Sequence, residues 1–101
     1  MKIIHRIDKE TIFIRVPEEL DHKVATDIKI IADEAVYSGQ VRNVHFDFNG
    51  TRFMDSSGIG MITGRYKLVH PLGGKIYVCG VGENVERIIK LSGLYKLVEQ
   101  I

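Results

Sequence analysis

Residues 54–64 read MDSSGIGMITG, which places an acid and two serines ahead of three glycines in an otherwise helical pattern. Aspartate and serine are preferred at helix N-termini, because their side-chain oxygens accept hydrogen bonds from unpaired backbone N–H groups. Glycine inside a helix costs roughly 1 kcal/mol relative to alanine. The stretch therefore predicts a helix that starts at Asp55 or Ser56 and carries its glycines for a structural or functional reason.

The glycines of this helix are expected to have two different tasks. Gly60 and Gly64 are four residues apart and share one face, so we expect them to let the helix backbone approach a sheet closely. Gly58 lies beside the serines at the start of the helix. The helix is expected to run to about His70 with one buried face. That predicted face consists of Ile59, Ile62, Tyr66 and Val69.

The chain before this helix contains strand and helix patterns. Residues 2–16 hold two β-branched runs around a DKE turn, which predicts two strands. Between Asp21 and Gly39 the apolar residues recur at helical spacing, with Asp21 as the expected cap. Residues 41–48 follow as a third strand pattern. We expect residues 49–53, NGTRF, to form a loop.

The chain after the central helix repeats the alternation. Residues 75–81, KIYVCGV, read as a strand covered on both faces, because nearly every residue is apolar. Residues 83–91 follow as a third helix, and YKLVEQI at 95–101 as a final short strand or a frayed tail. The order ββαβαβαβ predicts an α/β fold in which the later strands are parallel and helices pack on the sheet.

Composition limits the function classes. The 101 residues are 45% hydrophobic and 27% charged, and the formal net charge is +1. These values predict one globular domain spanning 1–101, without a transmembrane segment. The net charge also lacks the excess that is typical of proteins that bind nucleic acid or membrane surfaces. Cys79 is the single cysteine, which excludes an intramolecular disulfide, and we expect a buried thiol in a cytoplasmic protein.

Common catalytic and ligand motifs are absent from the sequence. GIGMITG is one residue too long for a dinucleotide fingerprint, and GVGEN at 80–84 lacks the lysine of a P-loop, so we expect Gly80 and Gly82 to form a turn only. The four histidines show no metal-ligand spacing. Ser57 is not on the G-x-S-x-G elbow of a serine hydrolase. The sequence therefore predicts no enzyme activity, no metal and no cofactor.

The serine pair has two explanations. Ser56 and Ser57 could serve only as helix-capping residues, or one of them could present its hydroxyl to the active site of another protein. A phosphate added there would bring about −1.5 to −2 charges. The positive end of the helix dipole would tolerate that anion, whereas a partner that docks beside Asp55 and Asp21 would be repelled or blocked. The residues alone leave open which serine is the acceptor.

Several segments carry a family resemblance. FMDSSGIGMITGRYK at 53–67 resembles the phosphorylation segment of bacterial anti-sigma factor antagonists, small STAS-domain proteins, and is most similar to the sporulation type that acts on the sigma-F system. ELDH at 19–22 resembles the first conserved loop of that family. The segments GKIYVCGV and VERIIKLSGLYKLV resemble its last strand-helix-strand unit. The resemblance implies a STAS fold, with a mixed, largely parallel sheet of about five strands and three or more helices mainly on one side.

The resemblance also implies a switch of binding partners. An unphosphorylated antagonist binds an anti-sigma factor that is also a serine kinase, and so releases a sigma factor. The kinase then phosphorylates the antagonist and ends the interaction, and a PP2C-type phosphatase restores it. Position within the motif implies that Ser56 is the acceptor. The implied partner-binding residues are Asp21, Asp55, Ser57, Gly58 and Ile59.

One loop departs from the family pattern. The family usually has glycine before ELDH, where this chain has Pro17 and Glu18. This change stiffens the loop and adds a carboxylate.

An alternative function within the same fold is a nucleotide-responsive STAS module of a sensory or transport assembly, which would require binding of GTP or ATP by the chain.

Overall fold

The computed structural model describes residues 2–101, which form one five-stranded sheet, one two-stranded sheet and three α-helices. The strands are β1 (His5–Asp8), β2 (Thr11–Arg15), β3 (Glu19–Leu20), β4 (Asn43–Asp47), β5 (Phe53–Met54), β6 (Ile76–Cys79) and β7 (Glu99–Gln100). The helices are α1 (His22–Tyr37), α2 (Ser56–Val69) and α3 (Glu83–Ser92), with short 3-10 turns at His70–Leu72 and Leu94–Lys96.

The main sheet has the order β1-β2-β4-β6-β7. β1 is antiparallel to β2, to which it is joined by a tight turn with Lys9 at φ 56°. The other three pairings are parallel. Parallel neighbours require crossover connections, and α1, α2 and α3 supply them. The mixed, largely parallel sheet predicted from the sequence is therefore confirmed.

The core lies on one face of this sheet. In the central strands every second residue is fully buried, as Ile14, Phe46 and Val78 illustrate with 0% exposure each. These side chains form one cluster with Ile28 of α1 and Ile62 of α2. The residues between them are only partly buried or exposed. The helices thus cover one face of the sheet and leave the other open.

The opposite face corrects two predictions from the sequence. β6 was expected to be covered on both faces, but Tyr77 and Cys79 alternate as partly buried residues with the buried Ile76 and Val78. Cys79 was expected to be buried and is only partly so. A run of apolar residues cannot distinguish these cases, because tyrosine and cysteine are compatible with either environment.

Capping residues determine where α1 and α2 begin, as predicted. Asp21 is the N-cap of α1 and Asp55 that of α2, both with extended backbone. α1 ends at Tyr37, and Gly39 follows with a left-handed φ of 84°. α3 is followed by Gly93 at φ 77°, which closes the helix in the left-handed conformation that glycine adopts readily.

The buried face of α2 differs from the prediction. Ile62 and Val69 are buried, but Ile59 and Tyr66 are only partly so, and the remaining buried positions are Gly58, Met61 and Arg65. Close packing was assigned to the wrong glycines. A Cβ at Gly60 or Gly64 would meet no atom within 4 Å, whereas one at Gly58 would lie 2.5 Å from Met54 Cγ. Spacing alone does not reveal which face of a glycine-rich helix is inward.

Two short strands were not predicted. β3 lies within ELDH, and β5 begins at Phe53, the last residue of the segment that was expected to be a loop. The two strands pair in parallel with Leu20 opposite Met54. Two-residue strands are too short to show an alternating pattern. This small sheet precedes both α1 and α2, and it therefore positions the start of each helix.

Candidate functional site

Two aspartates are brought together by the pairing of β3 with β5. Because Leu20 and Met54 are register partners, the residues that follow them, Asp21 and Asp55, leave the small sheet at the same end. The backbone N–H of Asp55 donates to the Leu20 carbonyl at 3.2 Å. The two acids are far apart in sequence. Their proximity could be expected from the sequence only on the assumption that their loops lie at the same edge of the sheet.

Each aspartate orients the first turn of its helix. Asp21 Oδ1 accepts from the Val24 N–H at 3.0 Å, and Asp55 Oδ1 accepts from the Ser57 N–H at 2.8 Å. Both carboxyl groups are partly exposed. They contribute negative charge at the positive ends of α1 and α2, which is the favourable arrangement for a helix dipole.

The two serines have different surroundings. Ser56 is the first residue of α2 and is exposed, whereas Ser57 is partly buried and faces α1 across a groove. Gly58 is buried against the side chains of Met54 and Leu20. Ile59, one turn along, is partly buried and packs on the core. Of the two hydroxyls, the one at Ser56 is therefore more accessible to a second protein.

Phe53 belongs to the same region and was missed by sequence reasoning. It is 49% exposed and directly precedes Met54 in β5. A lone aromatic residue in a polar loop was the available signal. We define the Ser56 surface as Asp21, Phe53, Asp55, Ser56 and Ile59. It combines one exposed hydroxyl, two carboxylates and apolar area, which suits contact with another protein.

The loop with the unusual Pro17–Glu18 pair is well anchored. The carbonyl of Glu18 accepts from the N–H groups of Arg52 and Phe53 at 2.8 and 3.2 Å. The hydroxyl of Thr51, a residue only 5% exposed, donates to the Val16 carbonyl at 3.0 Å. These bonds join the segment that leads into β3 to the segment that leads into β5. The loop is therefore anchored although Pro17 and Glu18 stand where the family usually has glycine. The side chain of Glu18 remains exposed beside the Ser56 surface.

The second glycine cluster was expected to form a turn and instead lies in the irregular connection between β6 and α3. Gly80 has φ 69°, and a Cβ there would collide with the side chain of Asn49. Gly82 is the N-cap of α3. Within residues 2–101 no three acidic, histidine or cysteine side chains are arranged to hold a metal ion. No helix in that range is long and apolar enough to cross a membrane.

A cavity on the open face of the sheet does not include the Ser56 surface. It has a volume of about 430 Å³, and its lining includes Arg6, Phe13, Arg15, His45 and Asp47. The Arg6 guanidinium lies 4.2 Å from the centre of the Phe13 ring.

His45 gives this face a pH-dependent contribution to stability. Its Nε2 lies 3.2 Å from Cys79 Sγ, and burial lowers the pKa of the imidazole below its ordinary value, against the opposing effect of the Asp47 carboxylate. The folded chain thus binds the His45 proton less readily than the unfolded chain. The contribution is complete above about pH 6.5, the ordinary pKa of histidine, and is lost as the pH falls below it.

We predict that His45→Gln reduces the loss of unfolding free energy between pH 7.5 and pH 5.5. Urea denaturation at the two pH values would measure the difference. The pKa of Asp47 is also lowered, chiefly by a hydrogen bond from the Asn49 N–H. Asp47 therefore changes the unfolding free energy only below about pH 4, outside the range of this experiment. An unchanged slope in the variant would contradict the assignment.

The comparisons with known proteins cover nearly the whole chain. The profile of the STAS domain family matches residues 2–101. An anti-sigma F factor antagonist of Paenibacillus polymyxa is 38% identical over 87 residues, which are 86% of this chain and 74% of the relative. An anti-sigma F factor antagonist of Lysinibacillus sphaericus is 29% identical over 91 residues, 90% of this chain and 78% of the relative.

Solved structures agree with these similarities. The anti-sigma factor antagonist SpoIIAA in its unphosphorylated form superposes with a TM-score of 0.89 at 27% identity, over 99% of this chain and 88% of that one. The Bacillus cell fate determinant SpoIIAA in its phosphorylated form gives a TM-score of 0.81 at 26% identity, over 99% and 91%. The fold is thus similar to that of a protein known in a phosphorylated and an unphosphorylated state.

Proposed function

Because the chain belongs to the STAS domain family, we propose that it is an anti-sigma factor antagonist whose unphosphorylated form binds an anti-sigma factor serine kinase and thereby releases a sigma factor. The two relatives described above are each named as an anti-sigma F factor antagonist. The observation that carries the proposal is the exposed side chain of Ser56 at the start of α2, directly after the N-cap Asp55 and at the end of the small sheet where Asp21 also lies.

The proposed switch is phosphorylation of Ser56. The hydroxyl oxygen attacks the γ-phosphorus of ATP held by the kinase, the bond to the β-phosphate oxygen breaks, and the products are phosphoserine, ADP and a proton. The new phosphate would lie next to the phosphates of ADP. Like charges at that distance repel, and the phosphate also occupies space, so both effects favour dissociation.

The fold is expected to persist after phosphorylation. Ser56 is the first residue of α2, where a negative charge interacts favourably with the helix dipole. Its side chain is exposed and no core residue has to move. A PP2C-type phosphatase would then hydrolyse the phosphate and restore the binding form. The proposed setting is cytoplasmic, in a sporulation circuit, without direct contact with nucleic acid and without enzyme activity of this chain.

The acceptor assignment is tested by phosphorylation in vitro. The wild-type chain, Ser56→Ala and Ser57→Ala are incubated with the anti-sigma factor kinase and ATP, and intact mass spectrometry counts the phosphates. We expect one phosphate, a mass gain of about 80 Da, on the wild type and on Ser57→Ala, and none on Ser56→Ala. A phosphate on Ser56→Ala would show that the acceptor is elsewhere. No complex between the wild type and the kinase would contradict the function itself.

The partner surface is proposed to extend around the acceptor. Asp21, Asp55 and Ile59 lie at its border with exposed or partly exposed side chains. Ser57 contributes through its hydroxyl in the groove beside α1, and Gly58 through the close packing that holds the start of α2 against Met54. Gly58 thus acts by positioning the surface rather than by touching a partner.

A further inference from the structure

A groove between α1 and α2 continues the Ser56 surface on one side. Its volume is about 220 Å³, and it is lined by His22 and Lys29 of α1 and by Ser57, Gly60 and Arg65 of α2, among others. Ser57 follows the acceptor in sequence, and His22 follows Asp21. The groove is open at Gly60, where a Cβ would meet no atom within 4 Å. A partner that covers Ser56 would therefore also extend over this groove.

The wall of the groove contains a buried arginine with unused donors. Arg65 is only 6% exposed, and its Nε lies 2.9 Å from Asp33 Oδ1. The N–H direction misses the carboxylate oxygen, however, and among residues 2–101 neither Nε nor Nη1 of Arg65 has a hydrogen-bond acceptor. A buried charged side chain is normally both paired and hydrogen-bonded. Arg65 thus forms an ion pair with Asp33, but its Nε and Nη1 donors have no hydrogen-bond acceptor among residues 2–101.

Lys29 shares the same carboxylate. Its Nζ donates to Asp33 Oδ2 at 3.2 Å, and its side chain is 56% exposed at the edge of the groove. Two cations, Lys29 and Arg65, are thus balanced by one anion, Asp33. The imidazole of His22 adds a further polar group at the rim. The surplus of one positive charge contrasts with the acidic Ser56 surface next to it.

We propose that this groove accepts the carboxylate of an aspartate or glutamate on the docked anti-sigma factor kinase, with Arg65 and Lys29 as its donors. The inference rests on the proposed function. A surplus of one charge matches a carboxylate better than a doubly charged phosphate. A guanidinium edge also presents N–H groups in the planar geometry that carboxylates accept. An acidic surface beside a basic groove requires the reverse pattern on the partner, and it specifies how the partner is oriented.

Charge reversal at Lys29 tests the proposal, because this exposed residue can change without unfolding the chain. Lys23 is a matched control: it is on the same helix and pairs with Asp27 at 3.3 Å with the same spacing, but it does not line the groove. We expect Lys29→Glu to weaken binding to the kinase at least tenfold, while Lys23→Glu changes it less than threefold. Lys29→Arg, which keeps the charge, should bind like the wild type.

Isothermal titration calorimetry with purified kinase and a non-hydrolysable ATP analogue gives each dissociation constant, and thermal unfolding verifies that each variant is folded. Exchanging the acidic residues of the kinase surface for lysine, one at a time, should yield one variant that restores binding to Lys29→Glu. Unchanged affinity of Lys29→Glu, or equal losses at Lys23 and Lys29, would overturn the groove assignment while leaving the proposed function intact. A wild-type chain that does not bind the kinase would overturn both.

Discussion

A Ser56→Asp variant is expected to bind the anti-sigma factor kinase at least tenfold more weakly than the wild type, which corresponds to about 1.4 kcal/mol or more. In the proposed complex the introduced carboxylate stands where the nucleotide phosphates of the kinase approach, and it directly follows the N-cap carboxylate of Asp55. A partner surface arranged to accept a neutral hydroxyl there has no cation ready to balance the added charge. Affinity falls because desolvation and repulsion are not compensated.

Ser56→Ala is the matched control for this experiment. It removes the hydroxyl but adds no charge, so we expect its dissociation constant to stay within about threefold of the wild-type value, measured by calorimetry with a non-hydrolysable ATP analogue. Thermal unfolding should show that Ser56→Asp is at least as stable as the wild type, since an acid in the first helical turn is favourable. Equal affinities of Ser56→Asp and Ser56→Ala would contradict a charge-based switch.

The predictable parts of the site are those that local chemistry determines. Asp21 and Asp55 were identified as helix starts because a side-chain cap is a property of a few consecutive residues. The choice of Ser56 over Ser57 came from the family resemblance only. The structure adds a physical reason for that choice, since Ser56 is exposed whereas Ser57 faces the groove beside α1.

Other features depend on tertiary pairing and leave no local signal. The meeting of Asp21 with Asp55 requires β3 to pair with β5, and these strands are too short to show a period. The contact of Asp33 with Arg65 joins two helices. An arginine within a helical pattern predicts an exposed side chain on average, so its burial could not be anticipated.

The glycines of α2 provide the sharpest test of the observed packing, because the structure reverses the roles that spacing assigned to them. We predict that Gly58→Ala destabilises the chain by about 1–3 kcal/mol, the typical effect of overpacking. Its Cβ would lie 2.5 and 2.7 Å from Met54 Cγ and Sδ and 2.9 Å from Leu20 Cδ2. Met54 and Leu20 are almost fully buried, so neither side chain can move away freely.

Gly60→Ala and Gly64→Ala are the matched substitutions in the same helix, and the opposite sign is expected for them. A Cβ at either position meets nothing within 4 Å, so the higher helix propensity of alanine should stabilise the chain by about 0.5–1 kcal/mol. Urea denaturation measures all three variants. Destabilisation at Gly60 or Gly64 would restore the original assignment of those residues to close packing. If Gly60→Ala stabilises the chain but weakens kinase binding, selection has kept glycine there to leave the groove open for the partner, at the cost of helix stability.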